Sequence, residues 1–165
     1  MKGLLDLKSK RGILFAVYCL VIILTLAFIF SNSILSKEDS SKQSGFLSSL
    51  MKPLLDPFGN LSADQFEHII RKLAHFSEFA LLGFEFALLA FHVSEGFKLR
   101  DAVYSAFAGL LCANTDEFLQ LFTGRGSMVS DVFIDFCGAL CGIAVGYAVA
   151  LTAKALRKKK KRGPI

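Results

Sequence analysis

The sequence predicts an all-α, polytopic membrane protein with four transmembrane helices and both termini on the cytoplasmic side, and three observations predict it. Hydrophobic residues make up 53% of the 165-residue chain and mean hydropathy is +0.52, too apolar for an ordinary water-soluble domain. The apolar residues fall in four blocks, each close to the roughly 20 residues that a helix rising about 1.5 Å per residue needs to cross a bilayer. Lys and Arg gather at the two termini and in one turn between blocks. Such clustering beside apolar blocks excludes an intrinsically disordered chain and a nucleic-acid-binding globule. Four spans leave no length for a separate soluble domain, so residues 1–165 are read as one membrane domain.

The first block, residues 13–30, carries no charge, Pro or Gly and follows Lys8, Lys10 and Arg11. It exceeds the ~7–15 apolar residues of a cleavable signal peptide, and no small-x-small site precedes Ser31, so it is read as an anchor. Residues 31–62 are Ser-rich, contain Pro53 and Pro57, and hold apolar pieces too short to span; they are expected to form an extracytoplasmic loop. Ser62-Ala63-Asp64-Gln65 spells a capping box, which starts a helix whose first turns mix Phe66, Ile69 and Ile70 with Asp64, Glu67, His68, Arg71 and Lys72. The second span proper is expected at about 73–93 and the third at about 102–122. Residues 123–127 then read as a turn. The fourth span, about 132–153, repeats Gly138, Gly142 and Gly146 every four residues, which lines one helix face with small residues for close backbone packing. Residues 154–165 form a basic tail.

Orientation follows from the basic residues. With the N-terminus inside, Lys2, Lys8, Lys10, Arg11, Lys98, Arg100, Lys154, Arg157 and the run from Lys158 to Arg162 all lie in the cytoplasm, opposed only by Asp6, Glu95 and Asp101. The run itself is a topology signal and a contact for anionic lipids, at about 1 kcal/mol per basic residue near the surface. That orientation brings Arg71, Lys72, His75 and Glu78 of the second span to the outer leaflet, where Asp116, Glu117 and Gln120 end the third and Asp131 and Asp135 begin the fourth. Arg125 lies in the turn between. Arg71, His75 and Glu78 are spaced i, i+4, i+7, while Asp116 with Gln120 and Asp131 with Asp135 are each spaced i, i+4, so three helix faces can enclose one pocket. An ionised group at bilayer depth costs roughly 2.5–3.5 kcal/mol on insertion scales, so these charges need partners or a water-filled cleft. Glu85, about seven residues and ~10 Å deeper than Glu78, is expected near the midplane, bonded to Asn114 or a backbone carbonyl.

The order Arg71-Lys72-x-x-His75-x-x-Glu78, then Asp116-Glu117-x-x-Gln120, then Gly124-Arg125, then Ser130-Asp131 before a glycine-rich last span resembles the VanZ-like family over about residues 20–150. Phe79 departs from the pattern where that family often has Tyr, and residues 31–62 look peculiar to this chain. The resemblance implies a small multi-pass protein of the bacterial plasma membrane. It also implies a link to low-level resistance to teicoplanin, a glycopeptide that binds the D-Ala-D-Ala end of peptidoglycan precursors.

Three chemistries and one bland alternative fit the residues. In the first, Arg71, Lys72, Gln120, Arg125, Asp131, Asp135 and Glu85 bind the headgroup of a membrane lipid or lipid-linked cell-wall precursor, the cations pairing phosphate and the acids an amine or sugar. In the second, a hydrolase or transferase uses His75 as base or nucleophile, Glu78, Asp116 or Glu117 to orient it, and Arg125 to stabilise developing charge. The third is a proton-coupled transporter using Glu85, disfavoured by the small number of spans unless the chain forms oligomers. The bland alternative is a salt-bridged brace in which Arg71, Lys72 and Arg125 neutralise the acids. No cofactor is expected. A divalent ion among His75, Glu78, Asp116, Glu117 and Asp131 is weighed and set aside because Arg and Lys stand beside them. Cys19, Cys112, Cys137 and Cys141 lie inside spans with no CxxC pair and are read as packing residues.

Overall fold

A computed structural model describes residues 10–35, 37–56, 60–123 and 128–161. Helix accounts for 91% of the described residues, with no strand among them. The elements are α1 (Lys10–Ser33), α2 (Lys37–Leu55), α3 (Ala63–Ser94), α4 (Leu99–Leu121) and α5 (Val129–Lys161). Three of these, α1, α3 and α5, are long and apolar enough to cross a membrane. That corrects the expected four spans. α4 has the length but not the composition, because Asn114, Asp116, Glu117 and Gln120 crowd its second half. The expected loop of residues 31–62 is corrected as well, since most of it forms α2.

α3 begins at the capping box: Gln65 N–H donates to the Ser62 hydroxyl (3.2 Å) and Ser62 N–H to the Gln65 side chain (3.1 Å). It ends at Glu95, which adopts a left-handed φ of 59° without being glycine. The Glu95 carboxylate accepts from Arg11 of α1, its carbonyl accepts from Lys154 of α5, and Arg11 also donates to the Val93 carbonyl (3.1 Å). One residue at the end of α3 thus ties three helices together, which sustains a backbone conformation that costs a non-glycine residue energy. Nearby, the Ser94 hydroxyl donates to Asp101 at the start of α4 and, with Arg100 beside it, holds that carboxyl below the usual carboxylate range.

α3 and α5 run side by side in the same direction, with α4 returning between them in sequence. Their contact is backbone against backbone. A Cβ placed on Gly142 would sit 1.8 Å from the Ala80 carbonyl oxygen, one on Gly138 2.3 Å from that of Phe76, and one on Gly83 2.1 Å from that of Ala139. The four-residue glycine repeat therefore packs as expected, with Gly83 of α3 answering it. α4 closes on the same seam through its small face, Gly109 lying against Ala139. α1 shows only a narrow stripe to the bundle: Ile22 and Ile29 join Phe79, Leu82, Ala113 and Ala139 in one apolar cluster. α2 rests on α3 through its polar side, with Ser44 donating to Glu67 (2.7 Å), and Lys52 donates to the Leu61 carbonyl just before α3 (3.2 Å). Its apolar residues Phe46, Leu50 and Leu54, spaced i, i+4, i+8, are exposed.

The α3–α5 seam makes a direct prediction. Gly142→Ala should lower the thermal midpoint of the detergent-solubilised protein, at a cost of about 1–3 kcal/mol from overpacking. Gly45→Ala in α2, where a Cβ meets nothing within 4 Å, should leave the midpoint at or above wild type. Equal midpoints for wild type and Gly142→Ala would refute the close contact.

Candidate functional site

Most of the polar residues expected on α3, α4 and α5 gather at one end of the bundle, opposite the basic tail. Residues from α3, α4 and α5, with Met128 just before α5, line a cleft of about 120 Å³: His68, Arg71, Lys72, His75, Glu117, Gln120, Met128, Asp131, Ile134 and Asp135. The parallel seam puts them there, since Phe76 abuts Gly138 and so fixes His75 and Asp135 beside each other.

Each charge near the rim has a partner. Arg71 Nη2 donates to Glu67 one turn earlier (2.8 Å), and Lys72 Nζ donates to Asp131 at the start of α5 (3.0 Å). Both pairs remain partly exposed, so each contributes little net stability and stays open to exchange with a ligand. Deeper, the balance turns acidic. Asp116 is 0% exposed, Glu117 3% and Asp135 1%. Gln120 serves the first two at once, its side-chain amide donating to Asp116 (2.9 Å) and Glu117 (3.0 Å). The other oxygen of Glu117 accepts from the Met128 backbone N–H (3.2 Å), which anchors the approach to α5. His75 presents Nδ1 between two carboxylates, 3.7 Å from Asp116 Oδ2 and 3.8 Å from Asp135 Oδ1.

α1 contributes more than a place at the periphery. Ser33 donates to the second oxygen of Asp116, Asn32 to Glu78 (3.3 Å) and Thr25 to Glu85 (2.8 Å). These residues escaped the sequence reading, which ended the first span at residue 30, although Thr25 and Asn32, seven residues apart and so on one helix face, are a signal. Glu78 is thus turned toward α1, although it belongs to the same three-residue pattern as Arg71 and His75. Glu85 stands apart from the cleft. It bonds to Thr25 rather than to Asn114, whose side chain instead returns to the Leu110 carbonyl (2.8 Å). Arg125 lies outside the described residues.

The family model described as VanZ/LLP1 matches residues 15–151, a stretch that takes in nearly all of α1 and extends through most of α5. No curated protein and no solved structure matches the chain.

Gln120 holds two buried carboxylates on one amide, so Gln120→Leu should strip both of a donor. The expected cost is about 1–3 kcal/mol or more, seen as a lower thermal midpoint in detergent. Gln120→Glu should be at least as damaging, since it adds charge to an acidic cluster. A midpoint unchanged in both variants would show that the amide is dispensable.

Proposed function

The chain belongs to the VanZ/LLP1 family, and from that premise we propose that it is a multi-pass protein of the bacterial plasma membrane whose cleft binds the headgroup of a cell-envelope lipid or a lipid-linked peptidoglycan precursor. The observation that carries this reading is a cleft at one end of the bundle, with Arg71 and Lys72 on one wall and Glu117, Asp131 and Asp135 on the others. Guanidinium and ammonium groups recognise phosphate or pyrophosphate, while carboxylates take an amine or sugar hydroxyls. The rim pairs of Arg71 with Glu67 and Lys72 with Asp131 keep those cations solvated and ready to exchange partners. The basic residues of α5 from Lys154 onward lie at the other end of the bundle, so the positive-inside rule assigns the cleft to the outer leaflet and the tail to anionic lipids of the inner one. The exposed apolar face of α2 suits a helix lying in the membrane interface at this end of the bundle. A protein that occupies precursor headgroups withholds them from a glycopeptide, which is how this activity contributes to teicoplanin resistance.

A second reading, a hydrolase or transferase acting on the same lipid, rests on one observation: His75 Nδ1 faces Asp116 and Asp135. A carboxylate beside an imidazole orients it as a general base.

The test uses the full chain in detergent with short-chain polyprenyl pyrophosphate, and a neutral-headgroup lipid as control. The pyrophosphate lipid should raise the wild-type thermal midpoint, and Arg71→Ala or Lys72→Ala should weaken its binding about 10-fold each, the loss of one charge-assisted contact. A wild-type midpoint that no anionic lipid moves would sink the proposal. Release of phosphate from the bound lipid, abolished by His75→Ala, would favour the enzyme.

A further inference from the structure

The Asp135 carboxylate is buried facing the His75 imidazole, 3.8 Å away and beyond hydrogen-bond distance. It is 1% exposed, and neither carboxylate oxygen accepts a hydrogen bond from the described residues. The other acids packed around the cleft are provided for: Asp116 by Ser33 and Gln120, Glu117 by Gln120 and the Met128 N–H, Asp131 by Lys72. Burying a carboxylate without a partner costs several kcal/mol, so proteins seldom leave one uncompensated. A proton on His75 would not suffice, since one Nδ1–H serves at most one of the two carboxylates it faces.

The geometry points to a divalent metal ion, Mn²⁺ or Zn²⁺, held by His75, Asp116 and Asp135 at the floor of the cleft. One ligand atom from each of the three lies within 4.8 Å of the others, and the two His75 distances are 3.7 and 3.8 Å. An ion with bonds of ~2.0–2.2 Å separates its ligands by roughly 3–4 Å, so the two His75 distances already fit and the two carboxylates need to approach each other by at most about 1–2 Å. One imidazole nitrogen with two carboxylate oxygens suits a first-row divalent ion. The supporting bonds are in place: Ser33 and Gln120 fix Asp116, as outer partners do for metal ligands. Arg71 and Lys72 are no obstacle, because each already pairs with its own acid, Glu67 and Asp131. Three protein ligands leave coordination positions open toward the cleft, where an anionic oxygen or water completes them. The site goes beyond the headgroup reading and does not require it.

The experiment is therefore done without lipid. Full-length protein in detergent, stripped with chelator and dialysed, is titrated with MnCl₂ while electron paramagnetic resonance follows free Mn²⁺, and with ZnCl₂ by calorimetry. One ion per chain should bind with a Kd of roughly micromolar order, and pulsed spectra of bound Mn²⁺ should show coupling to one imidazole nitrogen. Asp135→Asn and His75→Gln should each weaken binding at least ~10-fold, whereas Asp64→Asn, on the exposed first turn of α3, should bind as wild type does. Failure of the wild type to bind either ion at one per chain, or absence of nitrogen coupling, overturns the proposal even if no variant folds. Asp135→Asn binding with wild-type affinity overturns it as well. Because no lipid is present, either failure leaves headgroup binding to stand or fall on its own test.

Discussion

The close approach of α3 and α5 is the contact on which the rest of this bundle depends. Where Gly138 and Gly142 meet the carbonyls of Phe76 and Ala80, no side chain intervenes, and two parallel helices touch along their backbones. In a lipid environment there is little hydrophobic drive to bring helices together, so close van der Waals packing of small residues carries the association. The same seam sets the register. Phe76 follows His75 and Gly138 stands about one turn beyond Asp135, so the packing that stabilises the seam also places the imidazole 3.8 Å from the carboxylate.

That register creates an electrostatic problem, which the other helices solve in part. Three acids, Asp116, Glu117 and Asp135, are drawn out of solvent at one end of the bundle. α4 brings its own remedy, since Gln120 sits one turn beyond Asp116 and reaches both it and Glu117. α1 brings another by ending in Asn32 and Ser33, which donate to Glu78 and Asp116. A largely apolar helix thus serves the site through the two polar side chains at its end. Among the described residues, Asp135 is the buried acid of the cleft whose carboxylate accepts no hydrogen bond, with the His75 imidazole facing it.

The two ends of the bundle divide the work. At one, Arg11, Glu95 and Lys154 join α1, α3 and α5 through exposed, flexible side chains that hold position. At the other, half-buried pairs such as Lys72 with Asp131 guard a cavity large enough for a few polar atoms of a ligand. Exposed ion pairs are weak in water, whereas those at a cleft mouth strengthen as a ligand excludes solvent. The polar residues are therefore concentrated where occupancy, and not only stability, is affected by them.

Much of this was legible in the sequence. Composition and the length of the apolar blocks determined an all-helical membrane protein, the capping box determined where α3 begins, and the four-residue glycine repeat determined which face of α5 packs. Helical spacing alone put Arg71 and His75 on one face and Asp131 and Asp135 on another. What periodicity cannot express is rotation and partnership. α1 is apolar on most sides, so its sequence hints at the inward stripe only through Thr25, Asn32 and Ser33, whose partners on α3 and α4 are set by packing. α4 is long enough to span but too polar in its second half, and only the neighbours that cover its acids show how such a helix is accommodated. α2 hides Ser44 and Ser48 and exposes Phe46, Leu50 and Leu54, the reverse of a water-soluble helix. Glu78 and Glu85 turn to α1 because side-chain partners across a bundle are fixed by helix rotation and depth, quantities that arise from packing and are not written in any single segment.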